Sequence, residues 1–490
     1  MDRIPAEITL TIVRLLVDES PESAYTYATV SRAWQAFIEA ATFASIKLDQ
    51  GRLSQAKETL TPARQAYVRQ IQFTALLPDY HNQAEPRDSE SDKKQNDEAF
   101  SDAVVSLMGL LSTWSSPHDG GIELKLSTAC TIDLQDMKRG SSRLLPNRRD
   151  RLERCVTSYV ALREGLYRRL PEVSLIKTFT SSPMFLHHRR LTPKTWCEIA
   201  SRFPRLRSIN WEFADGSHDP AFRLQLRNDF ATGLFILPES VRDFTLCYRS
   251  GPGLGRFFND PGPRICPGVV RDPLSVALGK LSMQMEEMSL DMVIGSELLW
   301  DPALPPDEQG HWPLLREIQL NLNQNGRTPQ GDEIFDWDDE VADSDSDTNS
   351  YHPPRDYERA IPIPAQFNVY QLAFARAAAR MPNLRSLYIT LGDRLGCFEN
   401  YTVQPGKGVD RGSRAEFLYE GASVAPDLIT QETQEEWCNA ARVHLGEGGK
   451  FDFKVVDNGA LLEFRHYKAT YRSLTPYPPE RTILEYMRVV

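Results

Sequence analysis

Two short stretches hold residue types that could do chemistry. Gly251-Pro252-Gly253-Leu254-Gly255 follows a strand-like run ending near Tyr248, and a glycine loop after a strand can cradle phosphate on free backbone N–H groups. Such a cradle needs a helix next, whereas Asn259-Asp260-Pro261-Gly262-Pro263 is another turn cluster. A long connecting loop is the better reading. His187-His188-Arg189-Arg190 offers imidazole and guanidinium groups. Adjacent residues point apart on either regular element, and no Cys or Asp stands at ligand spacing, so it reads as a solvated basic loop. No Gly-x-Ser-x-Gly elbow, His-Glu-x-x-His helix or Gly-Lys-Ser/Thr loop occurs. The sequence thus offers no catalytic residue, no metal site and no cofactor, and the chain is not expected to be an enzyme.

Composition narrows the partners. The 490 residues carry a net charge of −11, which argues against a nucleic-acid binder, since that would need a basic face. The one basic zone is Arg-rich 138–169, read as a solvated helical face or, less simply, as a partner for acidic sequence within the chain. Seven scattered cysteines, an odd number without Cys-x-x-Cys spacing, suit a reducing compartment, cytoplasmic or nuclear. No run approaches the roughly 18 apolar residues of a membrane helix, and Met1-Asp2-Arg3-Ile4-Pro5 is not an apolar signal.

The elements that must position any function come from two periodicities. Apolar residues recur at x, x+3 and x+5, commonly with Arg at x+1: Val68/Ile71/Phe73, Leu206/Ile209/Trp211, Val241/Phe244/Leu246, Met285/Met288/Leu290, Leu315/Ile318/Leu320 and Leu384/Leu387/Ile389, with Val173/Ile176 a weaker copy. The x+3/x+5 pair has the period of a strand whose alternate residues face a core. Helical patterns precede two copies, over Thr195–Arg202 and Asn368–Arg380. Helix, turn and strand repeated is the logic of a leucine-rich-repeat-like solenoid, here irregular because copies from Val173 onward start 30 to 69 residues apart. The copies are expected to be neighbouring strands of one curved sheet, with Ile209, Phe244, Met288, Ile318 and Leu387 in its core. Asn210, Thr245, Ser289, Gln319 and Tyr388 then face the concave, substrate-binding side.

Residues 81–98 and 331–350 read as disordered loops, the latter with nine acids and no Lys or Arg. Removing 331–350 is therefore expected to leave the melting temperature nearly unchanged. Near the C-terminus a helix over Gln431–His444 precedes Phe451–Val456, Asp457-Asn458-Gly459 and Ala460–Phe464. That is a hairpin signal, and the whole could cap an open solenoid end.

The first residues are helical in pattern. Ile8, Ile12, Leu15 and Leu16 make one helical stripe, a short helix is expected over Glu22–Thr29, and Ser31 is a good N-cap for a helix carrying Trp34, Phe37 and Ile38 inward. Ile4-Pro5-x-Glu7-Ile8, followed after a polar gap by Val30-Ser31-Arg32-x-Trp34, resembles the F-box, and the whole chain is similar to long fungal F-box proteins with degenerate repeats. The resemblance implies a non-catalytic adaptor of a ubiquitin ligase in protein degradation. It would bind a Skp-type adaptor, and through it a cullin scaffold, with an unknown substrate protein on the repeats. By position Ile4, Pro5, Ile8, Ile12, Leu15, Leu16, Val30 and Trp34 would form the docking surface, Trp34 serving equally well as internal core. The alternative is a repeat-type binding scaffold whose N-terminal helices are only a cap. The fold class that follows is α/β. An all-α F-box motif (1–45) and a linker (46–65) precede the solenoid (66–395) and the C-terminal cap (396–490).

Overall fold

The computed structural model describes residues 5–19, 24–79, 88–114, 120–130, 158–181, 189–215, 219–250, 269–322, 328–332, 334–337, 360–390, 398–404, 414–421, 428–446 and 450–457. The chain divides into two compact units. The first comprises Met1–Leu134, Arg143–Phe213 and Thr232–Leu246, and the second Gln135–Ser142, Ala214–Ala231 and Cys247–Val490.

The first unit opens with three helices, α1 (Ala6–Glu19), α2 (Ala24–Tyr27) and α3 (Arg32–Phe43). The expected Ser31 cap is present: its hydroxyl accepts from the Trp34 N–H at 3.2 Å, relieving one of the unpaired donors of a helix start. After α3 the chain passes directly into β1 (Ser45–Asp49), then α4 (Leu53–Thr59), α5 (Pro62–Gln65) and β2 (Gln70–Leu77). Residues 46–65 are thus no linker. The Ala44 carbonyl accepts from Arg69 and Gln70 N–H groups at 2.8 and 2.9 Å, so α3 runs into the sheet's hydrogen bonding. Arg64 ties α5 to α3 through Glu39 at 2.9 Å, and its guanidinium lies 5.0 Å from the Phe43 ring centre.

The sheet continues through β3 (Ile122–Cys130), β5 (Ile176–Ser181), β7 (Ser208–Asp215) and β8 (Asp243–Ser250). Strands β1, β2, β3, β5 and β7 pair in parallel in that order. Parallel neighbours need a crossover, supplied by α6 (Glu90–Leu111) and α7 (Pro193–Ala200), and β4 (Tyr159–Val160) pairs with β6 (Arg190–Leu191) outside the main sheet. In the second unit follow α8 (Pro220–Leu234), most of which belongs there, α9 (Pro273–Ser282), β9 (Glu287–Met292), β10 (Glu317–Asn321), α10 (Pro364–Ala378) and β13 (Ser386–Thr390). Strands β9, β10 and β13 are parallel, with Met288, Ile318 and Leu387 in register. Then β14 (Phe398–Gln404) and β15 (Arg414–Gly421) pair antiparallel, and β16 (Lys450–Asp457) joins β15 in parallel after α11 (Gln431–Leu445). The order over all twelve strands is β1-β2-β3-β5-β7-β8-β9-β10-β13-β14-β15-β16, and β8 has residues in both units. The chain is an α/β protein with a mostly parallel sheet.

Five of the x, x+3, x+5 copies form β7, β8, β9, β10 and β13, consecutive in that order, whereas the copy at Val68 is β2 and the weaker one at Val173 is β5, separated by β3, which carries no copy. Ile209, Phe244, Met288, Ile318 and Leu387 are all buried, while the residues between them stay half-exposed. Helices cover the buried face: the Trp196 ring of α7 lies 5.1 Å from Phe179 of β5, and Trp437 of α11 lies 4.8 Å from Phe417 of β15.

Other expectations need correction. Residues 90–98 are the first turns of α6, held by a capping box between Ser89 and Asp92. A buried ion pair, Arg189 to Asp88 at 2.9 Å, fixes the helix start. Composition could not show this, because the partner is 101 residues away. Arg189 is accordingly buried and not part of a solvated loop, while His187 and His188 lie outside the described residues. Within 331–350, Ile334 is buried and β11 (Phe335–Trp337) pairs with β12 (Ala360–Pro362); residues 338–350 lie outside the described residues. The C-terminal segment extends the sheet by three strands, β14 to β16, which stand last in the strand order. Strand β16 pairs with β15, and residues 458–464, expected to complete a hairpin, lie outside the described residues, as do the glycine loop 251–268 and most of the Arg-rich zone.

Candidate interaction surfaces

Among the described residues the helical motif has a small interior. Val13 and Ile38 are its buried pair, at 1% and 3% exposure, and Tyr27, Ala28, Trp34 and Phe37 pack around them. Trp34 is half-buried there, so it serves the motif's own core. Four of the other expected docking residues are exposed. Ile8 is 52% exposed, Leu15 63% and Val30 48%; Pro5 is exposed, and Ile12 and Leu16 are half-buried. Ile4 lies outside the described residues. Isolated exposed apolar residues are ordinary, but these share one short motif and two of them, Ile8 and Leu15, are one helical stripe.

The open face of the sheet is polar. In the first unit Gln70 Nε2 donates to Glu123 Oε2 at 2.7 Å, and Thr180 Oγ1 donates to Glu123 Oε1 at 3.2 Å. Asn210 and Thr245 occupy the corresponding half-exposed positions on β7 and β8. In the second unit, register places Ser289, Gln319, Tyr388, Asn400, Leu418 and Lys454 in one row across six strands. Burial, and then the nearby Glu420 carboxylate, pushes the Tyr388 hydroxyl above its ordinary pKa. It therefore stays neutral, a donor and acceptor on this face. The sequence reading missed Glu123 and its partners because β3 carries no Arg at the leading position. The alternation Ile122-Glu123-Leu124-Lys125-Leu126 was the available signal.

Two charged pairs are sealed inside. In the first unit Arg189 grips Asp88 with two hydrogen bonds, at 2.9 and 3.0 Å, and Asn96 adds a third donor at 3.2 Å. In the second unit Arg227 donates twice to Asp272 at 2.6 Å and to the Val293 carbonyl at 2.7 Å. Burial alone would push the Asp272 carboxyl up; Arg227 and Ser275 outweigh it and hold it below its usual range. Asp272 also caps α9 through the Ser275 N–H at 2.9 Å. Both pairs hold a helix start and are out of reach of any ligand. Among the described residues no group of His, Cys, Asp and Glu could hold a metal ion, and no helix is long and apolar enough to cross a membrane.

The sequence matches no protein-family model and no curated protein.

Proposed function

We propose that the chain is a substrate-recognition adaptor of a Skp–cullin–F-box-type ubiquitin ligase, non-catalytic, acting in the cytoplasm or nucleus. The observation that carries the reading is the exposure of Ile8, Leu15 and Val30 on a helical motif whose core, among the described residues, is built on Val13 and Ile38 with Tyr27, Ala28, Trp34 and Phe37 packed around them. An apolar helical face left in water suits the groove of a partner, and it falls on the residues that resemble the F-box. The sheet supports the second half of the reading. Each helix–strand copy has an apolar face too small to be stable alone, and stacking buries it, so the array is an irregular leucine-rich-repeat-like solenoid. Its half-exposed positions, Asn210 and Thr245 in the first unit and Ser289, Gln319 and Tyr388 in the second, are where contact with a substrate protein is expected.

One observation favours a cap role for the same helices. Strand β1 stands first in the strand order and α3 runs straight into it, which is where an array end needs cover. Affinity purification of the tagged chain and of an Ile8→Asp variant, followed by mass spectrometry, tests the reading. A Skp-type adaptor and a cullin are expected with the wild type and not with the variant. Their absence from both would leave the cap alone.

A further inference from the structure

Four strands of the first unit carry a cation at or next to their first residue. Arg69, Lys177, Arg207 and Arg242 stand at the starts of β2, β5, β7 and β8. Three of them are neighbours along the rim: the Arg207 N–H donates to the Lys177 carbonyl at 2.8 Å, and the Arg242 N–H to the Arg207 carbonyl at 2.8 Å. Adjacent strands put such residues about 4.8 Å apart. The rim position lies outside the buried face, so core packing does not demand a cation there.

Of these cations Arg242 is anchored, and Arg207 is paired. Arg242 Nη1 donates to the backbone carbonyls of Glu239 and Val241, at 2.5 and 2.8 Å, which fixes its guanidinium while leaving its charge unmatched. Lys177 lies against Gly121, where a Cβ would come within 2.4 Å of its Cγ; the bare glycine lets the lysine stem lie along the rim. Exposed Arg205 extends the row by one turn, because the Ser240 hydroxyl donates to the Leu206 carbonyl at 2.7 Å and so sets the two turns side by side. Among the described residues Arg69, Lys177, Arg205 and Arg242 make no ion pair, whereas Arg207 touches Asp243 at 3.6 Å. A row of like charges this close repels itself, and it stands out on a chain of net charge −11.

The geometry points to this rim, centred on Lys177, Arg207 and Arg242, as a binding surface for an acidic peptide segment of a partner protein. Guanidinium groups pair carboxylates bidentately, and an extended peptide laid across the strand starts would meet successive cations. Nucleic acid fits less well: Glu123, Glu172 and Asp243 are interspersed along the same rim, and they would repel a continuous phosphate chain while a peptide can place neutral residues opposite them. The inference stands whether or not the helical motif docks a ligase adaptor.

Fluorescence anisotropy of the full chain with a labelled Glu-Ser repeat peptide tests it, beside a Gln-Ser peptide and a single-stranded RNA of equal charge. Binding of the Glu-Ser peptide alone is expected, weakening with salt and falling at least about tenfold in Lys177→Glu/Arg242→Glu. Arg168→Glu, a charge reversal elsewhere on the first unit, should bind like the wild type. Circular dichroism of each variant ensures that a loss reflects the rim. No binding by the wild type, an equal loss in Arg168→Glu, or preference for the RNA would overturn the proposal. If Lys177→Glu/Arg242→Glu misfolds, Lys177→Gln/Arg242→Gln carries the same comparison, and undiminished binding there overturns it as well.

Discussion

The helical motif and the sheet both carry regularly spaced apolar residues, and they dispose of them in opposite ways. On β7, β8, β9, β10 and β13 every x+3 residue is buried under helices of the same chain. On α1, the same kind of spacing leaves Ile8 and Leu15 more than half exposed. Periodicity states that a face is apolar and is silent on what covers it. The sheet's face is covered from within; the motif's face stays exposed at Ile8 and Leu15, and the proposed adaptor is the partner that would cover it.

The comparison can be sharpened by substitutions on each side. The largest effect is expected at Trp211, fully buried, with ring centres of Phe179, Trp196, Phe213 and Phe244 between 5.7 and 6.1 Å away. Trp211→Ala should cost about 3–5 kcal/mol, read as a lowered urea midpoint; a loss near that of a surface residue would mean the sheet core is not where it is described. Asp88→Ala should follow at about 3 kcal/mol, because it strands a buried Arg189 guanidinium. Asp88→Leu with Arg189→Met should recover most of that loss. If Asp88→Ala unfolds at the wild-type midpoint, residues 88–98 are the loop their composition suggests.

A smaller effect concerns acidity. His444 sits between Tyr401, whose hydroxyl donates to Nδ1 at 2.7 Å, and the Met381 carbonyl, which accepts from Nε2 at 2.9 Å. Burial holds its imidazole below the ordinary 6.5. Between the folded and unfolded values the unfolded chain binds more protons, so this contribution is full above about pH 6.5 and declines as the pH falls. His444→Gln should flatten stability against pH below the ordinary histidine value of about 6.5, and a wild-type curve already flat there would contradict the account.

How much of this was legible in the sequence follows from the same contrast. Strands whose leading Arg and x+3/x+5 pair repeat, such as Leu206-Arg207-Ser208-Ile209 and Leu384-Arg385-Ser386-Leu387, could be placed and even ordered. Strand β3 lacks the leading Arg, and β14 to β16 lack the repeat, so neither group stands out from the repeat pattern. The polar stretch containing Asp88, Asp92 and Asn96 looked unstructured because its stabilising partner, Arg189, is remote in sequence. The docking face was legible as a stripe, but its exposure was not: which of Val13 and Leu15 turns inward depends on where α3 places Ile38.

The smallest effect on stability and the largest on binding should come from one residue. Leu15 is 63% exposed, so Leu15→Asp should move the urea midpoint by less than about 0.5 kcal/mol, while placing a carboxylate in the partner's apolar groove should abolish docking. The decisive measurement is titration calorimetry of the full chain, wild type and Leu15→Asp, against a purified Skp-type adaptor. The account predicts saturable one-to-one binding by the wild type and none by a variant that unfolds at the same midpoint. An adaptor that ignores the wild type, or binds both chains alike, would contradict it.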